Sequence, residues 1–140
     1  MPSDAQSTAV ILIVDDNPGD LRLAREVFEE AGVPAQVASA ADGVDAVSML
    51  RAVINGTVPA PVLVLLDINM PRMNGFEVLA FMKQQALLAN IPVVMLSSSR
   101  RPADTARALE LGAKDYLVKP ESFDGYLELA ASLVKYLPEG

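Results

Sequence analysis

Residues 63–71 read LVLLDINMP, and the fold is decided by how this stretch is interpreted. Its four leading apolar residues predict a short strand buried on both faces, as in a parallel sheet. The strand ends at a carboxylate, Asp67, and residues 70–75 then predict a loop because they contain Pro and Gly. Open α/β sheets bind ligands at the carboxyl ends of their strands. Taken alone, Asp67 would be an ordinary turn residue, so its meaning depends on what other segments bring to that edge.

Strand and helix patterns alternate regularly along the chain. Further strands are predicted over residues 10–14, 34–40, 93–96 and 116–118, and helices over about 17–31, 42–54, 75–82, 102–111 and 122–137. This alternation predicts an α/β fold in which five parallel strands form a doubly wound sheet, with helices on both faces and right-handed crossovers. The length of 140 residues predicts one domain over residues 1–140, with its core over about 10–137.

Composition excludes several classes of function. The chain has no Cys and no His, which excludes disulfides, thiol chemistry and Ser-His or Cys-His catalysts. A net charge of −7 argues against autonomous binding to nucleic acid. The sequence contains neither a signal-peptide pattern nor an apolar run long enough to span a membrane. We therefore expect a cytoplasmic protein with no membrane or nucleic-acid partner.

Chemically useful side chains follow four of the predicted strands. They are Asp15, Asp16, Asp67, Ser97 and Lys119, and a parallel sheet places all of them at one edge. Crowded carboxylates repel unless a cation intervenes, and oxygen ligands without His or Cys favour Mg²⁺. A Lys and a hydroxyl suit phosphate oxygens, and a carboxylate can accept a phosphoryl group as an aspartyl phosphate. Each residue alone would usually be structural, so the combination carries the interpretation.

The sequence resembles the receiver domain of two-component response regulators. The resemblance rests on residues 13–17 (IVDDN), 66–71 (LDINMP) with 74–75 (NG), 92–97 (PVVMLS) and 112–120 (GAKDYLVKP). It covers nearly the whole chain and implies a flavodoxin-like fold with strand order 2-1-3-4-5. It also implies that Asp67 accepts a phosphoryl group from a histidine kinase. Such a protein is not a conventional enzyme, although it catalyses its own Mg²⁺-dependent phosphorylation and dephosphorylation.

The resemblance further implies a role for each site residue. Mg²⁺ would be held by the carboxylates of Asp15, Asp16 and Asp67 and by the main-chain carbonyl of Asn69. Lys119 would contact the phosphoryl oxygens. Ser97 and Tyr116 match the hydroxyl and aromatic positions of the receiver switch: phosphorylation would draw the Ser97 hydroxyl toward Asp67, and the Tyr116 ring would turn inward.

Softer features resemble the single-domain regulators paired with bacterial phytochromes. These features are residues 16–23 (DNPGDLRL), the long loop before the Asp67 strand, and residues 96–99 (LSSS). The implied partner is a histidine kinase of the bacteriophytochrome type. Only residues 138–140 follow the last predicted helix, so we expect no output domain. The signal would then leave through protein contacts, or the chain would act as an intermediate receiver in a phosphorelay.

Two other readings are less favoured. A phosphohydrolase with an aspartyl nucleophile resembles Asp-x-Asp-x-Thr, but the second acid is Asn69 here and cannot serve as a general acid. A degenerate receiver that acts only as a scaffold conflicts with the full set of acid, Lys and hydroxyl residues.

The last predicted helix has apolar residues on nearly all of its sides. The sheet can cover only one side, so Tyr126, Leu133 and Tyr136 or Leu137 are predicted to form a second apolar patch. We therefore expect a homodimer with this helix in the interface.

Overall fold

The computed structural model describes residues 9–137 and contains five parallel strands and five α-helices in strict alternation. The strands are β1 (Ala9–Val14), β2 (Ala35–Ala40), β3 (Leu63–Leu66), β4 (Val93–Ser97) and β5 (Asp115–Val118). The helices are α1 (Pro18–Glu30), α2 (Gly43–Ile54), α3 (Gly75–Lys83), α4 (Pro102–Glu110) and α5 (Phe123–Leu133), and a 3₁₀ turn over Val134–Tyr136 follows α5. The strand order is β2-β1-β3-β4-β5 with parallel pairing throughout. This confirms the predicted flavodoxin-like, doubly wound fold.

β3 lies at the centre of the sheet, and its side chains build a core on each face. Val64 and Leu66 belong to the core covered by α2, α3 and α4, whereas Leu63 and Leu65 belong to the core under α1 and α5. All four are at most 1% exposed. Burial on both faces explains why the strand is continuously apolar rather than alternating.

Side-chain caps fix where the helices begin near the carboxyl edge of the sheet. The Asn17 side chain accepts a hydrogen bond from the Asp20 amide, and Pro18 takes the first helical position of α1. Asn74 and Glu77 form a reciprocal capping box at the start of α3. Because a cap satisfies amides that would otherwise lack partners, it fixes the start of the helix: α1 begins at Pro18, soon after β1, and α3 begins at Gly75, after the loop that follows Asp67. Both helix starts therefore border the edge where Asp15 and Asp67 lie.

The predicted second apolar patch on the last helix is wrong. Tyr126, Leu133 and Leu137 are 5%, 3% and 9% exposed and lie in the core shared by α1 and α5, and the half-buried Tyr136 packs against that core. α1 covers a second side of α5, and the 3₁₀ turn after Leu133 changes the helical spacing so that Leu137 also points inward.

The large apolar side chains left exposed in this region are Phe123 at 42% and Val134 at 44%. Over residues 9–137, no helix has the length and apolar character that crossing a bilayer requires.

Candidate functional site

Three strand ends meet in a buried cluster of charges. Asp15 follows β1, Asp67 follows β3 and Lys119 follows β5. The Lys119 Nζ lies 2.8 Å from Asp15 Oδ2 and 3.2 Å from Asp67 Oδ2. Asp15 is 4% and Asp67 7% exposed, so both carboxylates are largely withdrawn from water. The predicted convergence of these three residues is therefore present in the structure.

The carboxylates form a donor set that fits a hard divalent cation. Asp15, Asp16 and Asp67 each offer an oxygen within 4.8 Å of the other two. Asp16 is exposed and opens the cluster to solvent, whereas Asp15 and Asp67 form its floor. Oxygen donors with an open side suit a small cation that keeps some of its water. Asn69 lies in the loop two residues after Asp67, and the role of its carbonyl as a further ligand stays a prediction.

Burial shapes the protonation of this cluster. It raises the pKa of the Asp15 carboxyl above its ordinary value, although the Lys119 ammonium and the Asn17 amide act in the opposite direction. Burial also acts to lower the pKa of Lys119, but its hydrogen bonds to Asp15 and Asp20 and its attraction to Asp67 outweigh that effect and raise the pKa. Lys119 is therefore a permanent cation at neutral pH.

Asp20 is a member of the site that the sequence analysis did not assign. Its Oδ2 lies 2.8 Å from the Lys119 Nζ, on the opening of the cluster, and its side chain is 30% exposed. Its sequence position indicates only an acid in the first turn of α1. Asp20 could have been found from its position, because a helix that follows β1 starts at the edge of the sheet where β1 ends.

The loop after Asp67 is held closely against the site. The Asp67 Oδ1 accepts a hydrogen bond from the Ile68 amide at 2.7 Å, and the Gly75 amide donates to the Ile68 carbonyl at 2.9 Å. A Cβ on Gly75 would lie 2.1 Å from the Asp67 carbonyl oxygen, so only glycine fits there. Arg72 has a positive φ of 68° and forms an ion pair with Asp42, the N-cap of α2. The loop is therefore fixed at both its middle and its end.

Ser97 and Tyr116 are connected through one loop residue. Ser97 is fully buried at the end of β4, and its Oγ accepts a hydrogen bond from the Ser99 amide at 3.2 Å. The Tyr116 hydroxyl donates to the Ser99 carbonyl at 2.8 Å. The Lys119 amide donates to the Ser97 carbonyl at 2.8 Å, which ties this pair to the charged cluster. The two predicted switch residues thus share the β4–α4 loop.

Comparison with known proteins identifies the family. The profile of the response regulator receiver domain matches residues 11–131. This chain belongs to the response regulator receiver family. The resemblance inferred from the four sequence motifs is confirmed.

Relatives of this receiver cover nearly its whole length. The probable methanogenesis regulatory protein FilR2 of Methanothrix harundinacea is 33% identical over 95% of this chain and 86% of its own. The response regulator Rcp1 of Synechocystis is 32% identical over 97% of this chain and 93% of its own. The crystal structure of Mn²⁺-bound Rcp1 covers 94% of this chain and 99% of its own with a TM-score of 0.81. That of the phosphorylated cyanobacterial phytochrome response regulator RcpA is 31% identical, covers 93% of this chain and 94% of its own, and has a TM-score of 0.84.

Proposed function

We propose that this receiver accepts a phosphoryl group on Asp67 from a histidine kinase and passes the signal on through protein contacts. The observation that carries the proposal is the position of the Lys119 ammonium, 3.2 Å from the Asp67 carboxylate within a cluster of acids that fits a divalent cation. A carboxylate next to a cation-binding site and a permanent ammonium is arranged for phosphoryl transfer.

The transfer needs little from the protein beyond position and charge. An Asp67 carboxylate oxygen attacks the phosphorus of a phosphohistidine, the new O–P bond forms as the P–N bond breaks, and the leaving imidazole takes up a proton. Lys119 would then shift its hydrogen bond from Asp67 Oδ2 to a phosphoryl oxygen. Mg²⁺, held by Asp15, Asp16, Asp67 and the Asn69 carbonyl, would neutralise the negative charge that gathers there. Attack by water on the phosphorus would break the O–P bond, release inorganic phosphate and restore the Asp67 carboxylate. The protein would in this way catalyse both its own phosphorylation and its own dephosphorylation.

Ser97 and Tyr116 would convert the modification into a change at the surface. A phosphoryl oxygen on Asp67 offers the Ser97 hydroxyl a charge-assisted hydrogen bond worth about 1.5–3 kcal/mol. Movement of the Ser97 hydroxyl would loosen the β4–α4 loop at Ser99, whose carbonyl accepts a hydrogen bond from the Tyr116 hydroxyl. The Tyr116 ring would then turn inward and alter the face formed by α4, β5 and α5.

The relatives support the choice of partners. The comparison with RcpA, a phytochrome response regulator, supports a bacteriophytochrome-type histidine kinase as the donor. A cytoplasmic location stays a prediction. A role as an intermediate receiver in a phosphorelay uses the same Asp67 chemistry and remains the second candidate. The phosphohydrolase reading stays disfavoured because Asn69 cannot act as a general acid.

Homodimerisation through the last helix also stays a prediction, with a revised contact surface. Exposed Phe123 and Val134 replace the buried Tyr126 and Leu133 as its candidate contacts. Light scattering of wild type and Val134→Glu would test it, because a dimer through this surface should dissociate in the variant.

Intact-mass measurement tests the function. Wild type incubated with acetyl phosphate and Mg²⁺ should gain the mass of one phosphoryl group, and EDTA or Asp67→Asn should abolish the gain. Asp45→Asn, a control that removes an exposed charge from the first turn of α2, should label normally. Undiminished labelling of Asp67→Asn would refute the assignment.

A further inference from the structure

Lys119 has one more anionic partner than the proposed phosphoryl-transfer reaction requires. Its Nζ is 2.8 Å from Asp15 Oδ2 and 2.8 Å from Asp20 Oδ2, both closer than the 3.2 Å to Asp67 Oδ2. Asp15 and Asp67 belong to the donor set for a cation, but Asp20 does not. Asp20 therefore binds the ammonium from outside that set.

The position of Asp20 is built by the start of α1. Its backbone amide donates to the Asn17 Oδ1 at 3.1 Å, which fixes the first turn of the helix. Its carboxylate and Lys119 border a cleft that Asn17, Pro120 and Tyr126 also line. Lys119 thus has an anchored carboxylate on the side of the cleft, in addition to the two at the floor of the site.

We propose that Asp20 is a positioning residue that shares the charge of Lys119 and so keeps Asp15 and Asp67 available to the divalent cation. The inference rests on the proposed function. Without Asp20, Lys119 would be neutralised by Asp15 and Asp67 alone, and an entering cation would have to compete with the ammonium for both carboxylates. With Asp20 in place, Lys119 keeps a partner when the cation takes Asp15. The negative charge of Asp20 also attracts the cation directly, which further raises the affinity of the site for it.

Calorimetric titration of the phosphate-free protein with Mg²⁺ tests the role of Asp20. Asp20→Asn should bind Mg²⁺ about three- to tenfold more weakly than wild type, because a partly exposed charge acts on a divalent ion. Asp20→Glu keeps the charge and should restore Mg²⁺ binding to within about twofold of wild type.

Asp45→Asn is the matched control. Asp45 is the third residue of α2, as Asp20 is of α1, and its amide donates to the N-cap residue Asp42 in the same way. Asp45→Asn therefore removes an equal charge and an equal helix-end interaction without touching Lys119. We expect its Mg²⁺ affinity to match wild type.

Two results would overturn the role of Asp20: Mg²⁺ affinity of Asp20→Asn within twofold of wild type, or an equal loss in Asp45→Asn. The outcome is separable from that of the proposed function. If wild type itself neither binds Mg²⁺ nor labels, the proposed function fails; if wild type does both and Asp20→Asn binds equally well, only the role of Asp20 fails.

Discussion

Replacing Lys119 by Met removes the ammonium from the charged cluster and keeps a side chain of similar size. In the metal-free protein this leaves Asp15 and Asp67 buried without the cation that contacts them at 2.8 and 3.2 Å. Removing one partner of a buried ion pair typically costs about 3–5 kcal/mol, because the remaining charge stays desolvated. The Lys119 side chain is only 10% exposed, so this buried regime applies.

Part of this loss is recovered when one of the two carboxyls takes up a proton, because a neutral carboxyl no longer repels its neighbour. We therefore expect Lys119→Met to lower the free energy of unfolding by about 3 kcal/mol in EDTA, at the lower end of that range. A divalent ion supplies the missing positive charge, so Mg²⁺ should restore most of the loss.

Urea unfolding followed by circular dichroism measures both effects. In about 10 mM Mg²⁺ the variant should regain at least about 1.4 kcal/mol more than wild type does, which corresponds to about tenfold tighter binding of the ion. Equal stability of the two proteins in EDTA would show that Lys119 is not the counterion of a buried pair. Equal stabilisation by Mg²⁺ would show that the ammonium and the metal do not compete for the same carboxylates.

Three further substitutions test neighbouring parts of the site. Ser97→Ala should still gain a phosphoryl group but lose the change in the NMR signals of Tyr116, and a wild-type response in this variant would disprove the coupling. The pKa of Asp42 lies below its ordinary value of 3.8, chiefly because Asp42 accepts a hydrogen bond from Arg72. The stability that this ion pair contributes is therefore complete above pH 3.8 and is lost as the pH falls through the lower pKa of the folded state. Asp42→Asn should therefore be less stable than wild type to urea at about pH 6, and the difference should shrink below about pH 3; a constant difference would contradict the ion pair. Gly75→Ala should lower the free energy of unfolding by about 2 kcal/mol or more and slow phosphorylation, because its Cβ would overlap the Asp67 carbonyl; unchanged melting and labelling would show that the loop can yield.

The sheet and most of the site could be predicted because both follow from short-range sequence signals. Continuous apolar runs that end on Asp15 and Asp67 indicated parallel strands, and parallel strands bring their carboxyl ends to one edge. The caps at Asn17 and Asp42 are local hydrogen bonds, so the helices predicted over about 17–31 and 42–54 begin close to where α1 and α2 begin. The motif resemblance then supplied the strand order, which periodicity alone does not give.

The errors concern contacts between elements distant in sequence. The acid of Asp20 meets Lys119 across 99 residues, and an acid in a first helical turn is equally consistent with a favourable helix dipole. The apolar residues around α5 indicated that more than one side of the helix is covered, but they did not indicate that α1 covers the second side. Tyr126 and Leu133 were therefore assigned to a surface that the packing of α1 buries.

Chemical mapping of the phosphoryl group tests the central proposal most directly. Borohydride reduces an aspartyl phosphate to homoserine, so treatment after labelling with acetyl phosphate and Mg²⁺ marks the modified residue in a peptide digest. The proposed function predicts homoserine at position 67 and at no other acid of the cluster. Homoserine at position 15, 16 or 20, or labelling that leaves Asp67 unmodified, would contradict it.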